Sequence, residues 1–433
     1  MLLRAVLSGR WFIPVVPGGY RERVPATERP DRWVDVYLAT IARAVSTCGD
    51  FLAATALVIA LQTRGSGGFA VAALLVAAAA PPTLLAPLTG RLADRVDSRR
   101  LLVALGLAQA AICAVLAFVT QTAVLVGLVA LLGCGLAVAT PTINALIPEM
   151  VGRERLAKAT AVGQTANSIG MLIAPALGGL LVGRFGLRVP LLIDAVTYLA
   201  LTAAAVAIRT RRGRAPVAGP SGVAERPAWS MRRDPLLRSI TIVVAAVVTA
   251  VSAVNVADVF FVRAVVHGSA TAYGLLGAVW TGAMMLGAWL VVRRHSGDGA
   301  FAVALLVSLA GACGAVALAA TVPAVLWMAP LWALGGVFNG SVNVSSGVLV
   351  ARRAPAEARG RAFAVFGGVA NGANAAGYLL GGVALAAVGP RAMIALAGAL
   401  GLAVALAFAV PLLRPATRDQ PAPAGKPQVA WAP

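Results

Sequence analysis

Three carboxylates lie inside long apolar stretches: Asp50, Asp194 and Asp258, out of 16 Asp and Glu in a chain of 433 residues. A charged Asp at the centre of a bilayer costs about 2.5–3.5 kcal/mol on insertion scales, so such a residue usually faces a cavity or serves a function. The chemistry open to it is proton carriage. A carboxyl is ionised when its cavity meets water, and apolar surroundings favour its neutral form. Asp50 is the first candidate, and Arg43 stands two turns before it on the same helix face. Two roles are open to Arg43: coupling to Asp50, or orienting its helix by reaching toward the membrane edge. Asp258, close to Asn255, approaches the outer end of its stretch, where water can solvate it. Asp194 sits early in its own stretch, where an acid can bond neighbouring helix ends.

Neutral polar side chains recur at helical spacing within the same stretches. Gln164, Asn167 and Ser168 form one set, Asn339, Asn343 and Ser346 a second, and Asn371, Asn374 and Tyr378 a third. Spacings of three, four and seven put each set on one helix face. Together with Asn255 they are candidates to line a substrate cavity, or else to hold helices together by hydrogen bonds. Trp280, Trp289, Trp327 and Trp332 fit either interface anchors or aromatic cavity walls.

Other chemistries lack their residues. The only lysines are Lys158, followed by Ala, and Lys426, followed by Pro. A phosphate-binding loop, which needs Gly-Lys-Ser/Thr, is therefore missing. The two histidines, His267 and His295, fall in separate loops with no His-Glu-x-x-His around them. No metal site and no enzymatic activity are expected, and no cofactor beyond a proton gradient as energy source. Cys48, Cys113, Cys134 and Cys313 all fall in apolar runs and read as free thiols.

The elements that hold these residues are set by hydropathy. Hydrophobic residues make up 60% of the chain and charged ones 12%, about half the charge of a soluble domain. Apolar runs such as residues 69–88, 101–118 and 362–388 reach the ~20 residues that a helix needs to cross a bilayer. They are too long for barrel strands. Twelve spans are expected, at residues 36–62, 69–89, 101–120, 123–143, 159–182, 190–208, 239–262, 271–292, 300–320, 324–347, 362–386 and 392–413. With both ends cytoplasmic, 30 of the 36 Lys and Arg fall on the cytoplasmic side, 5 fall outside, and Arg43 lies within span 1. That asymmetry matches the positive-inside rule and accounts for the net charge of +20 without nucleic acid. Residues 1–14, broken by Arg4 and Arg10, are not read as a signal peptide.

The expected organisation is a cytoplasmic segment 1–35, a six-helix bundle 36–208, a linker 209–238, a second six-helix bundle 239–413 and a tail 414–433. The Arg-, Pro- and Gly-rich composition of the linker marks it as a flexible joint. The halves echo one another, with Asn167 and Gly170 in span 5 matched by Asn374 and Gly377 in span 11. Two such repeats around a midplane site are an architecture of secondary transporters.

Four motifs carry a family resemblance. Residues 90–100, GRLADRVDSRR, resemble the signature loop of the major facilitator superfamily between spans 2 and 3, through Gly90, Asp94, Arg95, Arg99 and Arg100. Residues 170–179, GMLIAPALGG, are similar to that superfamily's antiporter motif, through Gly170, Pro175, Gly178 and Gly179. PTINALIPE at 141–149 and LIDAVTY at 192–198 look like the drug–proton antiporter branch that includes macrolide-efflux and enterobactin-export proteins. Departures are Ser98 in place of a basic residue, Ala174 in place of Gly, and the lack of an Arg in span 4.

The resemblance implies an all-α membrane fold of twelve helices in two pseudo-symmetric bundles. It implies a monomer in the plasma membrane, with lipid, protons and a small amphiphilic molecule as its partners. In that family the 90–100 loop acts as a cytoplasmic charge-relay gate, and the 170–179 motif serves helix packing and is associated with export. Proton-coupled efflux by alternating access is the leading expectation. An importer or uniporter on the same fold is the alternative, and a non-transporting receptor or assembly protein a more distant one.

Overall fold

The computed structural model describes residues 32–85, 88–89, 96–151, 155–210, 231, 234–294, 297–355 and 358–412. Helix dominates these residues, because a backbone in hydrocarbon must satisfy its own hydrogen bonds. The first half holds α1 (Trp33–Thr63), α2 (Gly68–Leu84), α3 (Ser98–Leu116), α4 (Thr122–Met150), α5 (Leu156–Phe185) and α6 (Arg188–Ala207). The second holds α7 (Pro235–Val265), α8 (Ala270–Arg294), α9 (Asp298–Ala319) and α10 (Val325–Arg353). Its last two helices, α11 and α12, run together from Arg359 to Ala407 and divide at Gly389.

The described residues form twelve transmembrane helices. Ten stretches are long and apolar enough to span a bilayer, the longest of them comprises two helices, and α2 is a shorter apolar helix of 17 residues. The division between α11 and α12 is local. Gly389 takes φ +78°, which a side chain resists, and Pro390 behind it cannot donate a helical hydrogen bond.

The helix ends depart from the apolar runs in informative ways. α1 begins at Trp33 rather than 36, and this carries Asp35 into its first turn, 5% exposed. Thr210, just beyond α6, donates to Asp35 Oδ2 through its backbone N–H at 2.9 Å and its hydroxyl at 2.6 Å. The ends of α1 and α6 are thereby tied on one side of the membrane. α7 is irregular: α-helix stops at Ser252, resumes at Val254 and gives way to π-helix from Phe261 to Val265. Such interruptions cluster at functional positions. Most of the expected linker and all of residues 1–31 and 413–433 lie outside the described residues.

Packing divides the buried side chains into three cores. Near the end that carries the described chain termini, the two halves have separate cores. One contains Val36, Leu102, Leu146 and Leu201; the other contains Leu237, Phe301, Leu349 and Ala362. Toward the opposite end a single core crosses both halves, joining Leu57, Val71 and Leu125 to Val256, Phe261, Met328 and Leu385. The bundles are therefore fastened at the far end.

Small residues make that closure. A Cβ on Gly179 of α5 would strike the Ala270 carbonyl and lie 2.9 Å from Gly274 Cα, both at the start of α8. The second half repeats the device: a Cβ on Gly382 of α11 would meet Ala72 Cβ at 2.5 Å and Phe69 Cα at 3.1 Å, in α2. Large apolar side chains such as Val383, Leu380 and Leu400 are more than half exposed, as befits residues facing lipid.

Candidate functional site

Halfway along α1, Asp50 accepts a hydrogen bond of 2.5 Å from the Tyr198 hydroxyl of α6. Tyr198 is 1% exposed, whereas Asp50 is only half-buried. One turn before Tyr198 on α6 lies Asp194, also 1% exposed. Its Oδ2 accepts from the Cys113 thiol of α3 at 3.2 Å, and its Oδ1 from the Thr197 hydroxyl at 3.1 Å. Gly49 makes this approach feasible, since a Cβ there would collide with Asp194 Oδ1 and sit 2.5 Å from Thr197 Oγ1. The two carboxyls are thus neighbours in the first bundle, Asp194 lying against Gly49, the residue before Asp50.

Asp194 is thus a sealed carboxyl beside Asp50, bonded to side chains of α3 and α6 rather than to neighbouring helix ends. Arg43 also takes a different partner from the one its spacing suggested. Its Nη2 donates to the Thr140 hydroxyl of α4 at 2.9 Å, and among the described residues no ion pair joins it to Asp50. Its charge remains near enough to act on Asp50 and Tyr198. Arg43 instead lines a cavity of about 330 Å³ with Thr40, Thr140, Asn144, Gln164 and Asn167.

A larger cavity of about 430 Å³ lies where the bundles meet, lined mostly by the second one. Asp258, Asn255, Asn339 and Asn374 reach it, with Tyr273, Trp280 and Trp332 among its aromatic walls. Phe51 and Thr55 of α1 and Pro175 of α5 close it from the first bundle. The Tyr273 hydroxyl donates to Asp258 Oδ1 at 3.4 Å. Trp280 and Trp332 meet edge-to-face at 5.8 Å, a favourable aromatic geometry. Ser252 donates to Asn374 Oδ1 at 2.6 Å. The volume falls within the range of cavities that enclose small organic molecules.

The expected cavity residues therefore separate into groups. Gln164 and Asn167 line the smaller cavity, and Asn255, Asn339 and Asn374 the larger. Asn343, Asn371 and Tyr378 line neither; Asn343 donates to Asn339 Oδ1 at 3.2 Å, and Tyr378 packs against the shared core. The tryptophans divide similarly. Trp289 and Trp327 are exposed at 42% and 63%, Trp289 under the Arg293 guanidinium at 4.2 Å, as interface residues would be.

In the 170–179 motif, Gly170 and Gly178 face α1: a Cβ would come 2.7 Å from the Ala44 carbonyl oxygen and 3.0 Å from that of Leu52. Gly179 and Pro175 face α8 instead. Of the 90–100 loop, Arg99 and Arg100 lie in the first turn of α3, whose N-terminus Asp97 caps by accepting from Arg100 N–H at 3.0 Å. Gly90, Asp94 and Arg95 lie outside the described residues. The second half carries charge at the corresponding end, where Asp298 pairs with Arg352 at 3.4 Å and Asp234 with Arg353 at 3.3 Å.

Sequence reasoning passed over Tyr198, Cys113, Thr197 and Thr140. The signal available was spacing, because Asp194, Thr197 and Tyr198 stand at i, i+3 and i+4 on one face of α6. Thr140 and Cys113 left no such signal.

Comparison with known proteins adds a family and a fold. The model of the Major Facilitator Superfamily matches residues 39–331 and 300–433. Among solved structures, a bacterial homolog of the human lysosomal transporter Spinster, inward-facing and unoccupied, aligns with TM-score 0.72 at 15% identity. The alignment covers 92% of this chain and 100% of that one. A variant of the nucleoside transporter NupG aligns with TM-score 0.70 at 14% identity, over 87% and 99% of the two chains. The peptide transporter POT in complex with sulfate, again a variant, gives 0.70 at 15%, over 88% and 95%. No curated protein sequence matches.

Proposed function

Because the chain belongs to the Major Facilitator Superfamily, we propose that it is a proton-coupled exporter of a small amphiphilic molecule, a drug, natural product or siderophore. The observation that carries the reading is the position of α1 between two sites. Asp50 meets Tyr198 and Asp194 on one side, while Phe51 and Thr55 of the same helix line the large cavity. A change of charge at Asp50 then acts directly on a wall of the cargo site. Asp50 is half-buried and takes the proton; Asp194, sealed beside it, holds α6 against α1. Asp258, in the cargo cavity, is the second carboxyl on the route.

The packing supports alternating access. The bundles are fastened by the shared core at one end and have separate cores at the other, the arrangement expected of one of two access states. The GMLIAPALGG motif and the branch resemblance favour export over import. The charge asymmetry favours cytoplasmic termini in a plasma membrane, so the state described is open inward.

The direction is tested in everted membrane vesicles supplied with a panel of cationic, neutral and anionic amphiphiles. Acidifying the lumen is expected to drive at least one compound inward above vesicles lacking the protein. One unit of ΔpH is worth about 1.4 kcal/mol, a tenfold accumulation for one-for-one exchange. Failure of every compound to accumulate, with release of preloaded compound on acidification, marks an importer instead.

A further inference from the structure

The large cavity has one charged lining residue among those described, Asp258. No Lys, Arg or His lines it, and no ion pair to Asp258 occurs among the described residues. The nearest arginine along α7, Arg263, is engaged elsewhere: its Nε donates to Gln62 Oε1 at 3.4 Å and its Nη1 to the Gly268 carbonyl at 3.5 Å. Arg391, stacked on Phe261, spends its donors on the Ala320 and Val322 carbonyls. Among the described residues, the one side-chain donor to Asp258 is the neutral Tyr273 hydroxyl, at a long 3.4 Å. An apolar and aromatic chamber thus holds one carboxyl without a resident counter-ion.

Such a chamber suits a cation. A carboxylate in an apolar site is costly alone and is stabilised by an opposite charge brought into contact with it. Aromatic faces attract organic cations by their quadrupole, most strongly where water is excluded. Trp280, Trp332 and Tyr273 supply the faces, and Val248, Leu276 and Met328 are among the residues that supply apolar surface for the body attached to the charge. The neutral amides Asn255, Asn339 and Asn374 set orientation without adding charge.

We propose that this cavity selects organic monocations on an apolar or aromatic body, with Asp258 as counter-ion and Trp280 and Trp332 as the cation-facing wall. The proposal rests on the reading of this cavity as the cargo site.

The test uses two ions of nearly the same shape and opposite sign, tetraphenylphosphonium and tetraphenylborate, in equilibrium dialysis against the purified full chain. The wild type is expected to bind the phosphonium at least tenfold more tightly than the borate. Asp258→Asn is expected to lose at least tenfold in phosphonium affinity and to erase the preference, whereas Asp258→Glu retains it. Equal binding of both ions by the wild type, or a preference that survives in Asp258→Asn, overturns cation selection while leaving a cargo cavity in place. If neither ion binds, or if Trp280→Ala and Trp332→Ala leave binding of both unchanged, the cargo-site reading fails and the proposal fails with it.

Discussion

Asp50→Asn is expected to reduce ΔpH-driven transport to the level of vesicles without the protein, at least a hundredfold, while the amount of protein in the membrane stays near wild type. The substitution is nearly isosteric. An amide oxygen can still accept from the Tyr198 hydroxyl, which bonds Asp50 at 2.5 Å, so α1 and α6 keep their contact. What the amide cannot do is change charge. Folding does not depend on that charge, since a carboxylate in a membrane interior costs energy rather than supplying it. Measurement of ΔpH-driven cargo flux beside immunoblot and thermal midpoint separates the two effects. Transport at wild-type rates in Asp50→Asn would remove this residue as the coupling site and shift the role to Asp194 or Asp258.

The second large effect concerns the contact that fastens the bundles. Gly274→Val places a branched side chain where a Cβ would already strike the Pro175 carbonyl and come within 2.9 Å of Gly179 Cα. All of these are backbone atoms of α5, so no rotamer change relieves the clash and the helices must part. Overpacking costs about 1–3 kcal/mol, and each 1.4 kcal/mol is a factor of ten in an equilibrium. The far-end-closed state should therefore lose roughly ten- to hundredfold in population, and transport should fall at least tenfold. The contacts of Gly170 and Gly178 with α1 stay inside the first bundle and are untouched. Spin-label distances across the far ends of α5 and α8 should lengthen in the variant. Unchanged distances with unchanged transport would show that this contact does not govern access.

The fold is largely legible in the sequence, for a physical reason. A bilayer imposes length and hydropathy on every crossing segment, and the arginine distribution constrains the count by alternation. The least legible points were those where tertiary contacts decide. Asp35 lies beyond the apolar run, yet α1 extends to include it because Thr210 satisfies its carboxylate. The interruption of α7 leaves no mark in an apolar sequence, although it reshapes the segment that bears Asp258.

The candidate site was half legible. Burial cost alone singled out Asp50, Asp194 and Asp258, but their grouping depends on which helices touch. Asp194 joins Asp50 because Gly49 lets α6 approach α1, a contact between residues far apart in the chain. Arg43 left Asp50 for Thr140 on α4. Helical spacing gathered the amides into faces, yet only tertiary packing divided them between two cavities. Asn371 shares a face with Asn374 and lines neither.

Cargo and protons are expected to cross in opposite directions through one alternating pathway. The most direct test is the purified chain in sealed liposomes that enclose a pH-sensitive dye, with a cargo taken from the vesicle panel. A cargo gradient is imposed with no initial pH gradient and the membrane potential clamped. Cargo leaving the lumen is expected to draw protons in, acidifying it at a rate that follows cargo flux and is absent from protein-free liposomes. Cargo flux at a constant lumenal pH, or with protons leaving alongside the cargo, would contradict the account.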